Sequence, residues 1–176
     1  MGDDGSLLAF GHPFMQRGDS NYFLDRVWIL TSLPNLQSAY KVGNLGETIG
    51  TVTQDRSAGI AAKIGPQPKV IPMYVSVTDT SRGVNGSART ELIDDDVLLP
   101  AMVDAVTYNT VTRVADREGG GTARFDFRID GRSANGEQIE IKRENMYYAD
   151  TGILKMISQE LVQAATLLAQ NKFEKI

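Results

Sequence analysis

The chain has 176 residues, 41% hydrophobic and 23% charged, with a formal net charge of -4, a composition of globular rather than disordered proteins. Its basic residues, Arg17, Arg26, Lys41, Arg56, Lys63 and Lys69 among them, are scattered among acids, which argues against a phosphate-tracking surface and against nucleic acid as a main partner. The lack of cysteine removes disulfides, thiol catalysis and Cys-ligated zinc, and the single histidine, His12, removes a two-histidine zinc site, so neither cofactor nor metal is expected.

The N-terminus, Met1-Gly2-Asp3-Asp4-Gly5, is acidic and has no basic region followed by an apolar stretch, so no targeting signal is expected in it. No run reaches the roughly 18 apolar residues of a membrane span. Apolar sequence resumes abruptly at Leu7-Leu8-Ala9-Phe10, as expected of a segment cut from inside a longer protein. That run ends at Gly11 and reads as a strand. YFLDRVWILTSL (22–33) is rich in β-branched and aromatic residues and stops at Pro34. Residues 36–42 alternate moderately and end at Gly43. TIGTVT (48–53) and GIAAKI (59–64) flank Gln54-Asp55-Arg56-Ser57, read as a polar turn between strands. VIPMYVSVT (70–78) is the strongest strand signal, with Pro72 pointing to an edge position or a bulge.

Residues 79–90 read as a polar loop, with Asn85-Gly86 as a tight-turn pair. The glycosylation sequon at Asn85-Gly86-Ser87 is accounted for by the same turn chemistry. Asp94-Asp95-Asp96 precede an apolar stretch and suit a helix N-terminus, where they cap backbone N–H groups; Pro100 fits the first turn. The spacing of these acids does not match an EF-hand calcium loop. Gly119-Gly120-Gly121 reads as a hairpin or linker. TARFDFRID (122–130) and EQIEIKRE (137–144) alternate and make a hairpin across 131–136. From Asp150-Thr151 onward, Ile153, Leu154, Ile157, Leu161, Ala164, Ala165 and Leu168 recur at helical spacing, which predicts one amphipathic helix of about five turns ending near Asn171.

The fold class expected is α+β. Residues 1–85 form a strand-rich, barrel-like part carrying Gly11-His12-Pro13-Phe14. Residues 86–176 form a mixed helix and hairpin part packed with the first as one unit.

His12 is the one side chain whose ordinary pKa lies near neutrality. It follows a glycine at a strand end, where a general base is well placed and where Gly11 would allow close backbone approach. A structural hydrogen-bonding role is the alternative. A Ser–His–acid system also needs a serine on a tight, glycine-flanked turn beside oxyanion-hole N–H groups. No serine here has that setting; Ser20 and Ser57 come nearest, and both read as turn residues. Arg17-Gly18-Asp19 matches an adhesion tripeptide of a kind that recurs by chance.

Three stretches taken in order resemble the sporulation protein IV B type serine peptidase family and its larger bacterial relatives. They are Leu8-Ala9-Phe10-Gly11-His12-Pro13-Phe14, then Gly50-Thr51-Val52-Thr53-Gln54-Asp55-Arg56, then Ala58-Gly59-Ile60. The resemblance extends to residues 34–41 and to Glu144-Asn145 with the terminal helix. It implies a chymotrypsin-like β-barrel hydrolase in which His12 is the catalytic general base and Asp19 or Asp55 is the acid. It also implies a nucleophile in a Gly-Met-Ser-Gly-Ser-Pro-like turn, which this chain lacks and which lies upstream in the larger relatives. The parent would be exported or attached to the cell envelope. This chain alone would be inactive, with a protein or peptide substrate or the upstream portion as its partner. The competing expectation is a non-catalytic β-rich exported scaffold or binding module. Exposed strand edges and apolar faces would favour homo-oligomerisation.

Overall fold

The computed structural model describes residues 2–35, 37 and 39–171. The protein is α+β, and the chain divides into two compact units, Met1–Val70 and Ile71–Ile176.

The first unit is all strand: β1 (Ser6–Phe10), β2 (Gly18–Leu33), β3 (Tyr40–Arg56) and β4 (Gly59–Ile64). They form one antiparallel sheet in the order β1-β4-β3-β2. The apolar runs predicted at 7–10 and 59–64 are β1 and β4, paired Leu8 to Ala61 and Ala9 to Ile60. Pro34 ends β2 as expected, because it has no N–H to give the ladder. The core is thin: Tyr22, Val52 and Ala62 are its buried apolar side chains.

Two expectations change here. Gly43 does not end a strand, since β3 runs unbroken through it and through 48–56. A side chain at Gly43 would collide with Val27 Cγ1 at 2.9 Å and with the Trp28 carbonyl at 2.7 Å. This glycine therefore serves close packing inside the ladder, not a turn. Gln54-Asp55-Arg56 is likewise not a turn: all three are in β3, and the reversal to β4 is confined to Ser57 and Ala58. Of the expected strand at 36–42, residues 36 and 38 lie outside the described residues, and its last three belong to β3.

β4 pairs with β3 only over residues 50–56. β2 and β3 continue together from there, so residues 25–33 and 40–48 form a two-stranded ribbon beyond the four-stranded part. Register shifts interrupt the ribbon after Asp25 and after Ile29, and such bulges raise local twist.

The second unit holds β5 (Val70–Asp79, all but its first residue), β6 (Val84–Ile93), α1 (Leu99–Ala115), β7 (Gly121–Arg132), β8 (Gln138–Ala149), α2 (Ile153–Met156) and α3 (Gln159–Ala169). β5 pairs with β6 and β7 with β8, as two-stranded sheets. Pro72 is tolerated because both strands of a two-stranded sheet are edges. The predicted alternation in β7 is real: Ala123, Phe125, Phe127 and Ile129 are half-buried while Arg124, Asp126 and Arg128 face water. α1 lies at the centre. Val103 packs with Leu92 and Ala165, and Val111 with Ile153 and Ile157. Full burial of each such Val, Leu or Ile side chain contributes on the order of 1.5–3 kcal/mol.

Three local readings are corrected in this unit. The loop is shorter than residues 79–90, and Asn85-Gly86 is inside β6; the turn falls at 80–83, where Gly83 takes φ 65. Asp94-Asp95-Asp96 do not cap α1 directly. Its N-cap is Leu98, with no side-chain cap bond, and Asp95 Oδ1 accepts the Val97 and Leu98 N–H groups one turn earlier. The single C-terminal helix is two, broken at Ile157 and Ser158. Both are buried, and the Ser158 hydroxyl donates to Asp104 Oδ1 on α1 at 2.7 Å.

Candidate functional site

The site singled out by the sequence lies at the foot of β2 and β3, where residues 11–17 link β1 to β2. Asp55 is its organising residue. In register, Asp55 pairs with Gly18 on one side and Ile60 on the other, so strand neighbours flank it on both sides. Its side chain has 0% exposure. The carboxylate accepts three consecutive backbone N–H groups: Phe14 at 2.9 Å on Oδ1, and Met15 at 2.5 Å and Gln16 at 2.8 Å on Oδ2. Successive amides converging on one anion form a concave nest, and here the anion is the protein's own carboxylate.

Burial alone pushes the Asp55 carboxyl up. The N–H groups of Met15, Phe14 and Gln16, with the charge of His12 nearby, outweigh burial and hold it below the ordinary carboxylate range. A buried carboxylate is tolerable on these terms: it stays ionised, and its lone pairs are used. The same bonds hold Gln16 in the left-handed region at φ 56, which costs a non-glycine residue about 1–2 kcal/mol.

His12 is exposed and has no hydrogen-bond partner among the described residues. It lies near enough for its charge to act on Asp55, but the Asp55 oxygens are bonded to backbone amides. A side chain on Gly11 would meet nothing within 4 Å, so no described group of this chain presses on that glycine. Three residues further on, the loop is anchored again: the Phe14 ring meets buried Tyr22 edge-on, with centroids 5.6 Å apart.

Asp19 stands outside this arrangement. Its side chain is exposed, accepts Gln54 Nε2 at 2.7 Å and faces Arg56 at 3.8 Å. Arg56 Nε in turn donates to Gln54 Oε1 at 2.8 Å. This is a surface network across the β2–β3 ladder, formed because Asp19 is opposite Gln54 in register. Ser20 is in β2 with its hydroxyl directed at the Val52 carbonyl, 3.4 Å away, and Ser57 is exposed in the β3–β4 turn. Neither sits at an amide nest. A shallow groove of about 390 Å³ on the β1–β4 side is lined by Leu7, Leu8, Thr53 and Ala62 among others, and not by His12.

What the sequence did not disclose was the role of Met15 and Gln16, whose contribution is made entirely by backbone N–H groups. An acid in a strand flanked by polar residues was the only available signal, and it reads equally as a turn. Among the described residues, no group of three or more acids and histidines comes together that could hold a metal ion, and no helix is long and apolar enough to cross a membrane.

Comparison with known proteins adds no relative: no family model, no curated protein and no solved structure matches the chain.

Proposed function

We propose that the first unit is the histidine-bearing portion of a chymotrypsin-like serine peptidase, resembling the sporulation protein IV B type family. In this reading His12 is the general base. It takes the proton from a serine hydroxyl supplied by another segment as that oxygen attacks a peptide carbonyl, and returns it to the departing amine. Asp55 is a positioning residue: it fixes the 14–16 backbone of the loop that carries His12. The observation that carries the reading is an exposed imidazole with no hydrogen-bond partner among the described residues, on a loop fixed by three N–H bonds to a buried carboxylate. A purely structural histidine is normally buried and hydrogen-bonded. Without a serine of its own at such a site, this chain alone is inactive, and its parent would be an exported or envelope-associated hydrolase acting on protein or peptide.

The test uses the polypeptide that joins this chain to its upstream sequence. A fluorophosphonate probe should label it, and His12→Ala should abolish labelling while circular dichroism is unchanged. Absence of labelling in the folded, full-length protein refutes the reading. The competing function, a non-catalytic binding module, predicts that His12→Ala has no effect on any reaction.

A further inference from the structure

Exposed apolar side chains in the first unit concentrate on the β2–β3 ribbon. Val27, Trp28, Ile29, Leu30, Leu33, Tyr40, Val42 and Leu45 are all exposed there, Trp28 at 58% and Leu45 at 72%. Together, over both faces of the ribbon, they present on the order of 800 Å² of residue surface, about what one partner contributes to a standard protein–protein interface.

The ribbon is ordered by its own packing. The Trp28 ring lies over Gly46, where an added Cβ would come within 2.3 Å of Cζ3, and Val27 and Ile29 close over Gly43. Strand alternation and register place Val27, Ile29 and Leu45 on one face, and Trp28, Val42, Leu33 and Tyr40 on the other. Both faces are therefore apolar. A strongly twisted two-stranded ribbon can bring both to a partner that winds around it.

Charge selects the partner. Within residues 25–48 the only charged side chains are Asp25, Arg26, Lys41 and Glu47, which sum to zero. They are not evenly placed. Lys41 stands near the tip, while Arg26 and Glu47 pair at the base at 3.2 Å and leave Asp25 as the net negative charge there. The ribbon is thus positive at its tip and negative at its base. A second copy laid antiparallel matches tip to base twice about a two-fold axis. The bulges along β2 disfavour simple edge-to-edge strand addition, so the faces dock and not the edges.

We propose that two copies of this chain associate through these ribbons, antiparallel and tip to base. The proposal is independent of any role for His12. Trp28 is the only tryptophan, so its fluorescence reports the contact directly. Light scattering across a wide concentration range should give twice the 19.2 kDa chain mass. Trp28 emission should shift to the blue and acrylamide quenching should fall severalfold as the dimer forms. Val42→Glu with Leu45→Glu should return the monomer mass and restore quenching. Lys41→Glu alters only an exposed charge and keeps the fold; it should weaken association about tenfold, and added salt should weaken the parent dimer. A monomer at every concentration overturns the proposal. So does a dimer indifferent to Lys41→Glu, and so does a monomer with shielded Trp28, which would mean that the ribbon is covered within the chain.

Discussion

The Asp55 carboxylate holds the Gln16 amide at 2.8 Å, and Gln16 sits in the left-handed region at φ 56. One buried anion thereby stabilises a backbone shape that glutamine resists, in the loop that carries His12.

Replacing that anion should cost much of the stability of the first unit. Asp55→Asn presents an NH₂ group where the loop amides need an acceptor, and leaves part-buried N–H groups unpaired. Since bonds to a buried charge contribute about 1.5–3 kcal/mol each and are not additive, a loss of about 3 kcal/mol is expected in urea unfolding. Amide exchange at Met15 and Gln16 should accelerate by orders of magnitude. Unchanged exchange there would show that the loop is held by something else.

The same group sets an acid limb. The Asp55 pKa is lower folded than unfolded, so its stabilisation is complete above the unfolded carboxylate value, about 4, and is lost as pH falls through the folded value. Stability should be level from neutrality down to that range and decline below it. Asp79, lowered by the Ser81 hydroxyl and by Arg117, and Glu140, lowered by Lys142, decline in the same direction. Asp55→Asn should therefore flatten the acid limb without abolishing it, as chemical denaturation at a series of pH values would record.

Gly86 is in β6 against α1, where an added Cβ would come 2.7 Å from Val114 Cγ2. Val114 is buried, and its branched side chain must shift to make room. Gly86→Ala should destabilise by about 1–3 kcal/mol, the cost of overpacking a filled core. A thermal midpoint equal to that of the parent would contradict this packing.

Ser158→Ala should cost about 1 kcal/mol, because it removes a buried hydroxyl's bond to Asp104 at the helix break. Asp104→Asn, which keeps an acceptor oxygen, should cost less. The comparison is read from thermal unfolding, and equal losses would assign the effect to charge.

Much of the fold is visible in local pattern. The apolar runs of β1 and β4, the stop at Pro34 and the two-residue alternation of β7 each depend on residues next to one another in the chain. Other features mislead for equally physical reasons. Asn85-Gly86 carries the chemistry of a tight turn, yet the glycine is needed because Val114 of α1 presses on the strand. Residues 153–168 have helical spacing throughout, yet the helix breaks where Ser158 reaches Asp104, 54 residues away in sequence.

The sequence by itself determined the class: strand-rich then mixed α+β, without cysteine, with His12 as its one imidazole and without a serine in a nucleophile turn. These follow from composition and short-range periodicity. The tertiary structure alone decided what Asp55 does, since its partners at Phe14, Met15 and Gln16 are 39 to 41 residues distant and act through backbone N–H groups that no side-chain pattern encodes. It also decided that the apolar residues of β2 and β3 stand exposed, because β4 ends its pairing with β3 before the ribbon begins.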